Sequence, residues 1–207
     1  RILDLINAFP IKSVELGAQS MVDEVLRKCR RGHTAADTTV AVQRLKARGY
    51  EVGLQLMVGL PGDDEARLLE TGRRIAALQP AFVRIYPTLV LEGSLLAKWF
   101  RTGRYRALPL DEAVGHCMKL YRFFRQCGIP VIRTGLQASD ELAVGRGLVA
   151  GPFHPAFGDL VQSASYLEAI REALCRRPVL GDTINLRVHP RGVARLRGQG
   201  NVNCAAL

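Results

Sequence analysis

Residues 52–60 read VGLQLMVGL, a nearly unbroken apolar run set between Gly49 and the Pro61-Gly62 turn. Its length suits a strand, and without an alternating polar face it predicts a strand buried on both faces of a parallel sheet. Gln55 is the one polar side chain inside it. A parallel sheet constrains the rest of the chain, because each strand must be joined to the next by a long crossover, usually a helix. The flanks supply such crossovers. Residues 35–48 have helical spacing, with Thr34 as N-cap and Gly49 as the stop. After Gly62, Asp63 and Asp64 can cap a helix that carries Leu68, Leu69, Ile75 and Leu78 and ends before Pro80.

The same rhythm extends in both directions. A helix end at 2–8, a strand at 12–17 and a helix at 21–29 precede the run; a strand at 82–86 and a short helix at 95–100 follow. Residues 111–126 then place Val114, Cys117, Met118, Tyr121 and Phe124 on one helical stripe, and a strand is expected at 131–134. Strand starts near 12, 52, 82 and 130 separated by helices define an α/β fold, whose right-handed crossovers gather the C-terminal strand ends on one rim. Ligands bind at such rims. Beyond residue 136 the rhythm changes: Gly145, Gly147, Gly151 and Pro152 loosen the chain before a helix at 157–176 and a last strand at 184–188. The domain reading is therefore 1–136 and a C-terminal α/β extension, 137–207, with a basic tail.

With 207 residues, the chain can bury a large core and form part of an α/β barrel, but it is short for a complete one. The longest apolar stretches are strand-sized, which excludes a helical membrane span from the expectations. Cys29, Cys117, Cys127, Cys175 and Cys204 are odd in number and lack zinc-finger spacing, and no leader precedes Ile2, so reduced thiols and a cytoplasmic location are expected. The net charge of +10 comes almost wholly from arginine. After Asp182 the tail has no acid and four arginines, Arg187, Arg191, Arg195 and Arg197. This pattern suits phosphate or nucleic-acid contacts.

Several motifs carry chemistry. In VELGAQS, residues 14–20, a strand leads directly to Gln19 and Ser20 at the rim, with Glu15 inside the strand. RRGHT, residues 30–34, puts Arg31 beside a capped helix start, where a guanidinium can hold a carboxylate or phosphate. His33 has no metal-site spacing to other ligands, and Gln55 is expected to face the barrel interior. Residues 195–200 fit a loose RxxGxG phosphate-loop pattern, but no strand-then-long-helix frame surrounds them.

Taken in order and spacing, VELGAQS, RRGHT, LQLMVGLPGD (54–63) and RIYPTLVLEGSLL (84–96) resemble the later half of a radical S-adenosylmethionine (radical SAM) enzyme. The likeness is greatest to the Elongator catalytic-subunit group and next to the oxygen-independent coproporphyrinogen III oxidase group. It covers residues 1–136. The resemblance implies a partial (β/α)6 TIM-like barrel of which this chain holds roughly the last three strands. It also implies two cofactors, S-adenosylmethionine (SAM) and a [4Fe-4S] iron-sulfur cluster, with an electron donor as partner. Cluster reduction of SAM yields a 5′-deoxyadenosyl radical that takes hydrogen from a substrate, here tRNA or a tetrapyrrole-like small molecule.

By motif, Gln19 and Arg31 match SAM-contacting positions, Gln55 matches a ribose-facing one, and Glu15 and Ser20 complete the first block. The family's CxxxCxxC cluster motif is not in this sequence. The metal ligands and earlier strands are therefore expected upstream of Arg1, and the chain alone is expected to be inactive. The competing reading is a non-catalytic basic α/β module that binds RNA through Arg191, Arg195 and Arg197.

Overall fold

The structure is a computed structural model that describes residues 2–136, 147–176 and 185–207. Helix α1 (Ile2–Ile6) leads into strand β1 (Ser13–Gln19), and α2 (Asp23–Lys28) and α3 (Ala35–Lys46) carry the chain to β2 (Glu51–Val58). Helix α4 (Glu65–Ala77) joins β2 to β3 (Phe82–Pro87). A longer excursion through β4 (Val90–Leu91), α5 (Leu95–Arg101) and α6 (Leu110–Gln126) reaches β5 (Val131–Thr134). Strands β1, β2, β3 and β5 form one sheet in that order with every neighbouring pair parallel. Leu54, at its centre, pairs with Leu16 on one side and Val83 on the other. This is one arc of a partial α/β barrel. It has four parallel strands where the resemblance implied about three, because β5 adds to the far edge.

Local chemistry sets the element ends. Thr34 Oγ1 accepts from the Asp37 N–H at 3.2 Å while the Asp37 carboxylate accepts from the Thr34 N–H at 2.8 Å, a reciprocal capping box. Asp64 caps α4 by accepting from the Arg67 N–H at 2.8 Å. Gly49 adopts φ +83°, ending the α3 turn as its position predicts.

Helices α3, α4 and α6 cover one face of the sheet. Val52, Leu54, Leu56, Val58, Val83 and Ile85 point into that layer and are buried with Phe124, Leu120 and Ile75. The opposite face differs. Gln55, Met57, Arg84 and Tyr86 alternate with the buried residues and are only partly covered, and Glu15 is exposed. The expectation that β2 is buried on both faces is thereby corrected: helices cover one face, and the inward face of the arc carries polar groups.

Strand β6 (Leu148–Ala150) pairs antiparallel with β4, so the extension is stitched to the segment that follows β3. Helix α7 (Phe157–Arg176) packs on α6 and β5. The tail forms short helices, including α8 (Val193–Arg197) and α9 (Val202–Ala205). Buried Asn203 pins it down by donating to the Ser163 carbonyl at 3.1 Å and the Leu196 carbonyl at 3.0 Å. The stretch around Gly145 and residue 184 of the expected last strand lie outside the described residues. Residues 185–188 form no strand, since apolar alternation supplies no partner edge and residues 185–187 lie exposed. Among the described residues no helix is long and apolar enough to cross a membrane.

Candidate functional site

At the C-terminal end of β1 the pairing register shifts between Gly17 and Gln19, and Gln19 takes φ +63°, a left-handed conformation unusual for a side-chain-bearing residue. Such strain persists where surrounding structure enforces it. At this position Gln19 Nε2 donates to Gln55 Oε1 at 2.8 Å, and Gln55 Nε2 donates to the Leu56 carbonyl at 3.1 Å. Gly17 makes this possible, because a Cβ there would meet Gln19 Nε2 at 2.3 Å. The two carboxamides, 36 residues apart, thus meet on the inward face.

Arg31 reaches the same rim by a helix-ending device. The Arg30 N–H donates to the Arg27 carbonyl and the Arg31 N–H to the Leu26 carbonyl, a Schellman motif closing α2, with Arg30 at φ +54° where glycine is usual. His33 Nε2 lies 3.3 Å from the Ala18 carbonyl and ties this loop to the end of β1. The Arg31 side chain is exposed and, among the described residues, has no carboxylate partner.

Gln19 and Arg31 line one cavity of about 260 Å³. Cys29, Met57, Leu60 and Pro61 complete its near side. Burial pushes the Cys29 thiol up to about 11, with the Asp63 carboxylate adding to the effect and Arg31 opposing it. The segment after β3 supplies the rest of the wall: the polar Thr88 and Ser94, and the apolar Leu89, Leu91, Leu95, Leu96 and Trp99. The motif block RIYPTLVLEGSLL (84–96) covers this wall except for Trp99, but sequence reasoning named none of its residues as a cavity contact.

The other expected residues sit elsewhere. The Ser20 hydroxyl is buried, lies 3.1 Å from Thr71 Oγ1 and accepts from the Val22 N–H at 3.1 Å, so the structure takes it out of the cavity and spends it on the fold. Glu15 lies deeper on the inward face, its carboxylate 3.1 Å from Arg84 Nε, while Arg84 Nη1 donates to Tyr86 Oη at 3.3 Å. Of the tail arginines, Arg191 and Arg195 line a 420 Å³ groove with α7, and Arg195 Nε donates to Asp159 at 3.2 Å. The RxxGxG segment begins inside the five-residue α8 and is followed by the four-residue α9, not set in the frame a phosphate loop needs.

The donor set can be tested for each implied cofactor. An unpaired guanidinium beside two carboxamides suits an amino-acid carboxylate and ribose hydroxyls. For an iron-sulfur cluster the fit fails: among the described residues no group of three or more His, Cys, Asp or Glu side chains converges as metal ligands. The described residues therefore support no chemical step through a cluster.

Comparison with known proteins gives consistent results. The Radical SAM superfamily model matches residues 1–75, and the Radical_SAM C-terminal domain model matches residues 80–168. The chain is similar to a tRNA uridine(34) acetyltransferase of Methanocaldococcus jannaschii, 38% identical over 104 residues, which is 49% of this chain and 19% of that protein. Among solved structures it resembles the archaeal Methanocaldococcus infernus Elp3 with an N-terminal deletion, at TM-score 0.68 and 25% identity over 87% of this chain and 44% of the other. The fold alone is shared with coproporphyrinogen III oxidase (HemN) from Escherichia coli, described as a radical SAM enzyme, at TM-score 0.51 and 18% identity over 61% and 29% of the two chains. The chain thus spans about a fifth of the curated relative and less than half of the Elp3 structure. The two family models lie end to end along the βα arc and the helix behind it, with Gln19, Arg31 and Gln55 in the first and the apolar wall in the second, and the chain belongs to the radical SAM superfamily.

Proposed function

We propose that this chain is the SAM-binding later part of a cytoplasmic radical SAM enzyme, with residues 1–136 as its share of the barrel and 137–207 as an extension. The observation that carries the reading is the convergence of Gln19 and Arg31 on one cavity, with Gln55 hydrogen-bonded to Gln19. Arg31 would hold the methionyl carboxylate, where a fixed guanidinium gives a charge-assisted bond. Gln19 and Gln55 would orient the ribose through their amides, and the strain at Gln19 holds that pair in advance of binding. Glu15 acts only indirectly, by pairing with Arg84 beneath them.

In the superfamily, a [4Fe-4S] cluster supplies the electron that converts SAM to methionine and a hydrogen-abstracting 5′-deoxyadenosyl radical. Ligands for that cluster would come from residues upstream of Arg1, as would the docking surface for an electron donor, so the chain alone would bind the cofactor without turning over. The curated relative's name points to tRNA as a substrate class, and the HemN likeness to a tetrapyrrole. The alternative of a purely RNA-binding module loses support from Arg195, which Asp159 already engages.

Titration calorimetry with S-adenosylhomocysteine tests the proposal. Saturable binding is expected, weakened about 10-fold or more in Arg31→Gln, the loss of one charge-assisted contact. No binding, or equal binding by the variant, would overturn it.

A further inference from the structure

We propose that a second cavity, set among α6, α7 and α8, binds one phosphate monoester of a small molecule between the guanidinium groups of Arg125 and Arg195. It shares no lining residue with the cavity of Gln19 and Arg31, and the inference does not depend on the cofactor assignment.

Three elements build this cavity of about 280 Å³. Helix α6 presents Tyr121 and Arg125 one turn apart, with the Arg125 guanidinium carbon 6.0 Å from the Tyr121 ring centroid. Helix α7 adds Gln162, Ser165 and Tyr166 at the spacing of one helical face, and α8 adds Arg195. The tail seats Tyr166: a Cβ on buried Gly192 would meet its Oη at 2.6 Å, so glycine is what leaves room for the hydroxyl there.

The polar groups gathered here lack protein partners. Among the described residues, the side chains of Tyr121, Gln162, Ser165 and Tyr166 make no hydrogen bond, and Arg125 has no carboxylate partner. Arg195 gives its Nε to Asp159 at 3.2 Å and keeps both Nη groups. By contrast Arg122, one turn before Arg125 on α6, is closed by Glu172 at 2.6 Å. No acid is among the described residues lining the cavity. Two guanidinium forks, an amide and three hydroxyls with no acceptor from the protein suit a ligand rich in acceptor oxygens.

Charge and size select among such ligands. A phosphate monoester carries about 1.5–2 negative charges at pH 7 and so matches two arginines, whereas a carboxylate or a phosphodiester carries a single charge. The volume lies below the roughly 300–1,000 Å³ of ordinary small-molecule pockets, so the ester is a small one. A nucleic-acid strand laid along α7 fits worse. Asp159 and Glu172, one turn beyond the stripe 162–169 at either end, place carboxylates where its neighbouring phosphates would run.

Titration calorimetry with phenyl phosphate tests the proposal; its ring has the Tyr121 and Tyr166 faces to lie against. One saturable site is expected, weakened about ten-fold or more in Arg125→Gln and in Gln162→Glu, which keeps both arginines and adds an opposing charge. Arg176→Gln removes the same charge from an exposed arginine on α7 that lines no part of the cavity, and should change the affinity by less than about two-fold. Arg31→Gln should leave it equally unaltered. Dimethyl phosphate, a singly charged diester, should bind about ten-fold or more weakly than phenyl phosphate.

Equal losses in Arg125→Gln and Arg176→Gln would reduce the effect to net charge and overturn the proposal. So would the absence of a saturable site, full affinity in either folded cavity variant, loss of binding in Arg31→Gln, or dimethyl phosphate binding as tightly as phenyl phosphate. An oligouridylate that displaced phenyl phosphate with the salt dependence of several phosphate contacts would make this face a nucleic-acid track and overturn the small-molecule assignment.

Discussion

The two faces of the four-stranded sheet come from the same strands, one residue apart, yet they follow different physical rules. On the helix-covered face, Leu54, Leu56, Val83 and Ile85 are removed from water by α3, α4 and α6. On the inward face, Gln55, Arg84 and Tyr86 keep polar partners and partial exposure. The first face is stabilised by area and shape, the second by pairwise polar contacts that are worth little to stability but hold specific geometry.

The sharpest way to break this contrast is to damage each face in turn. Phe124→Ala, on the covered face, should destabilise the chain by about 3–5 kcal/mol in equilibrium urea unfolding. If the loss were well under 1 kcal/mol, the helix layer would not be the stabilising core.

Asp63 tests the junction where β2 leaves the sheet for α4. Burial pushes its carboxyl up to about 7 from an ordinary 3.8, outweighing the backbone N–H groups of Asp64 and Gly59 that favour the anion. A raised carboxyl means that the folded chain holds a proton the unfolded chain has released. Stability from this group should be greatest near pH 4 and below, and fall as pH rises to about 7, by on the order of 3 kcal/mol. Asp63→Asn should flatten that slope in urea titrations run between pH 4 and 8. An identical slope in the variant would refute the assignment.

On the inward face the effects move from stability to binding. Arg31→Gln should leave the Tm within about 1 °C, since an exposed unpaired arginine contributes little to folding. The same change should reduce S-adenosylhomocysteine affinity as described above. Gln55→Leu is expected to shift unfolding by about 1 kcal/mol or less while releasing Gln19 and weakening cofactor binding. A cost for Gln55→Leu that matched Phe124→Ala would erase the distinction between the two faces.

Much of the fold was readable before any coordinates. The strand at 131–134 and the helix at 157–176 match β5 and α7 at both ends, and Thr34 caps α3 as its residue type and position implied. These are local signals: periodicity, a capping side chain, a glycine stop. The misses have non-local causes. β4 and β6 are too short to show a period and exist only because they pair across 57 residues or more, Leu91 opposite Leu148 and Val90 opposite Ala150. The Schellman turn that aims Arg31 uses Arg30 where glycine would have announced it. Within the candidate site, Gln19, Arg31 and Gln55 were named from motif blocks, whereas Thr88, though inside the block at 84–96, was not singled out, because a threonine becomes informative only when its hydroxyl is seen to lack a partner. Ser20 carried the motif's promise but is consumed by Thr71 and Val22.

By itself the sequence determined that strands and helices alternate, that the strands run parallel, and that polar residues stand at the strand ends, because these follow from side-chain spacing along a few neighbouring residues. Tertiary structure alone decided which face of β2 is dry, that two carboxamides 36 residues apart share a hydrogen bond, and that Arg31 shares a cavity with the largely apolar segment after β3. Those outcomes depend on which surfaces the strand register and helix packing bring together, and no local pattern in the chain encodes that juxtaposition.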